Sequence, residues 1–128
     1  MPNDPGRLVY LATPYSHPDP AVREARFVTV NRVAARLMAS GILIFSPISH
    51  THPICLAGEL PSGWQFWQAY DRAALAASER LIVLRQQGWE DSIGVTGEVE
   101  IAREFGLHVA YIDPLPEEVA PPLTETPK

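Results

Sequence analysis

Four short apolar runs limit what this chain can fold into. Leu8-Val9-Tyr10-Leu11-Ala12, Ile42-Leu43-Ile44-Phe45, Leu81-Ile82-Val83-Leu84 and Val109-Ala110-Tyr111-Ile112 are too short for helices. They also lack the polar alternation of a half-exposed strand, so they read as strands covered on both faces, as in a parallel sheet. The segments between them carry apolar residues at helical spacing. Asp19-Pro20 offers an N-cap and a proline for the first helical position, Phe27, Val30, Ala34, Leu37 and Met38 follow on one face, and Ser40-Gly41 ends the helix. Ser62-Gly63-Trp64-Gln65 fits a capping box opening a second helix, with Trp64, Trp67, Asp71, Ala74, Leu75 and Ser78 on one stripe. A third helix is expected from about Val95 to Phe105, closed by Gly106. The order β-α-β-loop-α-β-α-β predicts an α/β three-layer sandwich. Its centre is a parallel, doubly wound, flavodoxin- or Rossmann-like sheet of four to five strands joined by right-handed crossovers.

The 128 residues suffice for one domain with a real core, expected over residues 1–113. From Pro114 to Lys128, five prolines and three glutamates predict an extended or disordered tail. Of the formal charge of −5, the segment from Asp113 onward contributes −3, four acids against Lys128. The body is then nearly neutral, which argues against nucleic acid as the main partner. Arg23, Arg26, Arg32 and Arg36 gather on the first helix and read as a solvated face. The single Cys55 allows neither an intrachain disulfide nor a thiolate metal cluster. No apolar run has membrane-spanning length and Met1-Pro2-Asn3-Asp4-Pro5 begins no signal peptide, so a cytoplasmic protein without membrane association is expected.

Ligands in such sheets bind beyond the carboxyl ends of the strands. Thr13-Pro14-Tyr15-Ser16-His17 follows the first strand, and Ser46 to Pro61 follows the second as the longest unpatterned stretch, a binding loop or lid in this reading. Thr13, Pro14, Tyr15, Ser46 and His50 are accordingly expected to line a ligand pocket. The His50/His52 pair has no third ligand at a recognisable spacing, so no metal is expected. After the third strand comes Asp91-Ser92-Ile93-Gly94-Val95-Thr96-Gly97-Glu98, a strand-to-helix junction whose backbone N–H groups can meet an anion. Helical phase puts Glu98 in the stripe of Val95, Val99, Ala102 and Phe105, with Glu100 and Glu104 opposite. Glu98 is then either a core-edge carboxylate paired with an arginine or capped by backbone, or a catalytic carboxylate held ionised by the helix N-terminus. Asp71 is a second acid among apolar neighbours, with pairing to Arg72 or Arg80 as its structural alternative.

Taken together these residues resemble the nucleoside 2-deoxyribosyltransferase-like superfamily, and within it a small domain family of unknown function. Tyr10-Leu11-Ala12-Thr13-Pro14-Tyr15 resembles the superfamily's first-strand motif, Tyr70-Asp71 its helix aspartate, and Ser92 to Glu98 with Ala102 the motif of its nucleophilic glutamate. Trp64, Trp67, Gly88-Trp89 and Ser49-His50-Thr51-His52-Pro53-Ile54 resemble the uncharacterised family. The resemblance covers residues 8 to about 113.

It implies cleavage or transfer at the N-glycosidic bond of a nucleoside, deoxynucleoside or 5′-monophosphate, with no cofactor. Glu98 would attack the anomeric carbon to give a glycosyl ester, Asp71 would act as acid and base, and Tyr10 would orient Glu98. Ser92 and the main chain at Gly94 would hold a sugar hydroxyl or a phosphate. A serine at position 92 leans towards a monophosphate, whereas Asp91 could supply the acid that free-nucleoside transferases place there. Relatives of this kind are usually dimers or larger, so a homodimer or higher homo-oligomer is expected. The alternative from another class is a non-catalytic nucleotide-binding or sensor module on the same fold.

Overall fold

The computed structural model describes residues 7–122. Strands β1 (Leu8–Ala12), β2 (Ile44–Phe45), β3 (Ser78–Leu84) and β4 (His108–Ile112) form one parallel sheet in the order β2-β1-β3-β4. Helices α1 (Pro20–Ala39), α2 (Pro47–Gly58), α3 (Trp64–Ala76) and α4 (Ile93–Glu104) cover it. This is the expected α/β Rossmann-like sandwich with four strands.

Alternation along the strands sorts the core into two layers. Val9, Leu11, Ile82 and Leu84 face Val30, Val33, Ala34 and Leu37 of α1. Tyr10, Ala12, Leu81 and Val83 face Leu75 of α3 and Val95, Val99, Ile101 and Ala102 of α4. Each such valine or leucine contributes roughly 1.5–3 kcal/mol when fully buried. The same alternation puts Tyr10, a polar-tipped residue 0% exposed, on the layer of α3 and α4.

The expected ends of α1 are present. Asp19 accepts from Ala21 N at 2.9 Å, Pro20 is the first helical residue, and Gly41 takes φ 98° after the Ser40 cap. Elsewhere the local reading needs correction. Residues 46–61 are not a loop: Pro47 starts α2, which tolerates Pro53 and ends at Glu59 in a left-handed conformation. The capping box at Ser62 does not form; Gly63 is the N-cap of α3, and the Ser62 carbonyl instead accepts from Ser16 Oγ at 2.6 Å. Phe105 leaves the buried stripe of α4 and lies under the Arg72 guanidinium, 5.1 Å from its ring centre.

The arginines of α1 are not simply solvated. Arg26 donates to the carbonyls of Ser16 and Gln87, Arg23 to that of His17, and Arg36 makes a two-bond pair with Glu118 at 2.7 and 3.0 Å. That last contact also corrects the extended or disordered tail expected from Pro114. Pro116–Glu118 form a 3-10 turn, Glu118 is buried, and Ala120 N donates to Thr29 Oγ1 at 2.9 Å. Arg36 supplies the partner that proline-rich composition hides. Residues 123–128 of that segment lie outside the described ones. Among the described residues no helix is long and apolar enough to cross a membrane.

Candidate functional site

Beyond the carboxyl ends of β1 and β3 the surface opens into a cleft of about 480 Å³. Three carboxylates line it: Asp91 is exposed in the turn before α4, and Glu98 and Asp71 stand deeper. Glu98 comes from the second turn of α4 and Asp71 from the middle of α3, and both project from the layer that also holds Tyr10. The Tyr10 hydroxyl donates to Glu98 Oε2. Asp71 lines the same cleft and acts electrostatically on both Glu98 and Tyr10. Among the described residues no arginine takes up Glu98 or Asp71: Arg72 pairs with Glu104 instead.

The electrostatics follow from burial. Glu98 is 6% exposed, and loss of solvent pushes its carboxyl well up from the ordinary range, with the Asp71 charge adding to the rise. Burial also raises Asp71. Burial therefore favours the protonated form of Glu98. That direction runs against the expectation that the helix N-terminus keeps Glu98 ionised. The dipole effect is confined to the first turn, and Glu98 lies beyond it, where desolvation wins. Burial likewise raises Tyr10, so its hydroxyl stays a donor.

Of the other expected residues, Thr13, Tyr15, Ser92 and Gly94 line the cleft. Ser92 is the N-cap of α4 and accepts from Val95 N at 3.1 Å, which leaves the N–H groups of Ile93 and Gly94 at the open helix end. Thr13 Oγ1 accepts from Gln86 Nε2 at 2.9 Å. Three expected residues do not line the cleft. Pro14 is fully buried behind it. Ser46 and His50 face a separate groove of about 580 Å³ beside α1, with Asn31 and Tyr70. The reason is helical phase: because 47–58 is a helix, residues 50 and 52 point about 200° apart, one outward and one inward. His52 is buried, with Tyr15 on Nδ1 and Glu24 on Nε2.

The main addition to the expected site is aromatic. Trp64 and Trp67 of α3 line the cleft beside Tyr15. Trp64 sits directly on α4: a Cβ placed at Gly97 would clash with its indole ring. The signal was the Trp64/Trp67 stripe together with a mid-helix glycine, which costs helix stability and calls for close packing.

Residues 7–113 match the family described as a domain of unknown function (DUF1937). The chain belongs to that family. The matched span contains every wall of the cleft, its three carboxylates and all four strands, and stops short of the Glu118 turn. No curated protein matches this DUF1937 chain.

Proposed function

We propose that this protein cleaves the N-glycosidic bond of a nucleoside, deoxynucleoside or 5′-monophosphate, by hydrolysis or by transfer to a second base. The observation that carries the reading is the buried Glu98 beside the half-buried Asp71 in an aromatic-walled cleft, both carboxyls raised by loss of solvent so that the two can share one proton in the reaction. Such a pair holds what the chemistry needs: one carboxylate that can become a nucleophile and one proton for the leaving base. The motif resemblance to the nucleoside 2-deoxyribosyltransferase-like superfamily supports the same roles.

The bound ligand places its anomeric carbon against Glu98 and its base towards Asp71. The shared proton passes through Asp71 to the base nitrogen as the C–N bond breaks. That transfer creates the Glu98 anion at the moment it is used, and a Glu98 oxygen forms the ester bond to the sugar carbon. Water or a second base then attacks that carbon, Glu98 leaves as carboxylate, and Asp71 takes the attacker's proton. The Tyr10 hydroxyl holds Glu98 Oε2 in place throughout. Ser92 Oγ and the N–H groups of Ile93 and Gly94 form the polar end for a sugar hydroxyl or phosphate. Tyr15, Trp64 and Trp67 provide apolar surface for the base.

The test is a panel of ribo- and deoxynucleosides and their 5′-monophosphates, followed for free base by chromatography, with intact-mass detection of a sugar adduct on the peptide containing Glu98. Release of base and an adduct there are the expected results. Binding of nucleotides without any base release would instead assign a sensor module.

A further inference from the structure

A second titratable cluster adjoins the cleft, and of it the scheme above uses only the ring of Tyr15. Tyr15, in the β1–α1 connection, is bonded through its hydroxyl to His52 Nδ1, and His52 Nε2 is bonded to Glu24 Oε1 at 2.8 Å. Phe27 stacks on the imidazole, with ring centres 4.3 Å apart. His52 is 3% exposed, whereas the Glu24 side chain is 48% exposed. Only Tyr15 of these four residues lines the cleft. Its hydroxyl is thus drawn away from the cleft, into the junction of α1 and α2, and its ring forms the wall. Burial pushes the phenol up, so it stays protonated.

In the neutral tautomer the outer partner orders the hydrogen bonds. A Glu24 carboxylate accepts, so Nε2 carries the proton; a neutral ring then leaves Nδ1 to accept from the Tyr15 hydroxyl. A histidine serving only the core could end on any backbone carbonyl. Here the far end is a half-exposed carboxylate on α1 and the near end is a cleft wall, so three elements fix one ring.

We propose that His52 and Glu24 are positioning residues for ligand binding, holding Tyr15 by its hydroxyl so that its ring face meets the planar base of the ligand. The assignment of that ligand rests on the nucleoside reading above. The anchor itself does not.

The full chain and its Glu24→Gln, His52→Gln, Tyr15→Phe and Tyr15→Phe/Glu24→Gln variants would be titrated with deoxyadenosine and deoxycytidine, following the fluorescence of Trp64 and Trp67. Loss of one hydrogen-bonded contact should weaken binding about three- to tenfold in Tyr15→Phe and about threefold in Glu24→Gln. The double variant should be no weaker than Tyr15→Phe, because the anchor is already cut. In turnover the loss should appear in KM rather than in kcat. Glu24→Gln that binds as the unmodified protein does, or that weakens Tyr15→Phe by a further equal factor, overturns the proposal. Buried His52→Gln risks misfolding, so the half-exposed Glu24 carries the test. The nitrogen-15 signals of His52 give a ligand-free check: they should move in both Tyr15→Phe and Glu24→Gln, and unmoved signals overturn the anchor. If neither probe binds the unmodified protein, the nucleoside reading falls and the histidine signals alone decide the positioning role.

Discussion

At the scale of single residues, the site turns on where protons sit. Glu98 and Glu100 differ by two positions in α4, yet one is buried against Tyr10 and the other is exposed. Glu98→Gln keeps the shape and loses the nucleophile, so base release should fall by about three orders of magnitude or more, whereas Glu100→Gln should cost at most about twofold. Steady-state kinetics on the two variants checks this, and normal turnover by Glu98→Gln would remove the glycosyl-ester scheme. Stability should move the other way. Burial raises both Glu98 and Asp71. The unfolded chain releases these protons in the ordinary carboxylate range and the folded chain only above it. Stability is therefore lost as pH rises from that range through the raised values. Glu98→Gln removes part of that loss, so it should melt higher than the unmodified protein at neutral pH, with the gap closing in acid where both carboxyls are protonated. Thermal melts across the pH range would show it; a constant gap contradicts the raised carboxyls.

At the scale of elements, the contact of α3 with α4 shapes the cleft. Gly97 has room for no side chain under Trp64. Gly97→Ala should displace the indole and lower stability by about 1–3 kcal/mol through overpacking. It should also reduce turnover about tenfold or more, because a cleft wall shifts. Adding Trp64→Leu should restore much of the stability and none of the turnover, and calorimetry with kinetics separates the two effects. The elements also show what the sequence could reveal. The strands and α1 were legible because their apolar residues need no distant partner to declare them: Val9 and Leu11, for example, are buried on one face and Tyr10 on the other. Glu98 and Asp71 were legible because helical phase places them among apolar neighbours without side-chain detail, whereas Tyr10 was singled out by the motif resemblance. The α2 helix was not. Pro53 inside it reads locally as a breaker, and its buried residues find their partners in distant elements, His52 in α1 and the β1 connection and Cys55 at the Pro61 carbonyl. That single misread also put His50 on the wrong side and left His52 without a role.

At the scale of the whole molecule, the chain closes on itself. The Arg36–Glu118 pair and the Ala120–Thr29 bond tie the segment after β4 to α1. Truncation after Asp113 should lower Tm by about 4–10 °C. Arg36 and its hydrogen bonds hold the Glu118 carboxyl below the ordinary range. Its contribution is therefore present at neutral pH and lost as acid titrates the pair. Glu118→Gln should be less stable than the unmodified protein at neutral pH and equal to it in acid; a difference that persists in acid would assign the contribution to packing alone. The strand order has a consequence for synthesis. β1 is made first but lies between β2 and β3, and its register with β3 pairs Ala12 with Val83. While the ribosome is still making α3, the central strand has only the two-residue β2 beside it. A nascent chain of that length exposes one unpaired edge of β1, and such edges recruit other chains. The long interval before β3 emerges makes folding slow in the manner of parallel sheets. Arrest of translation within α3 should thus yield a chaperone-dependent fragment, and release past β3 should let the sheet form in a single concerted step.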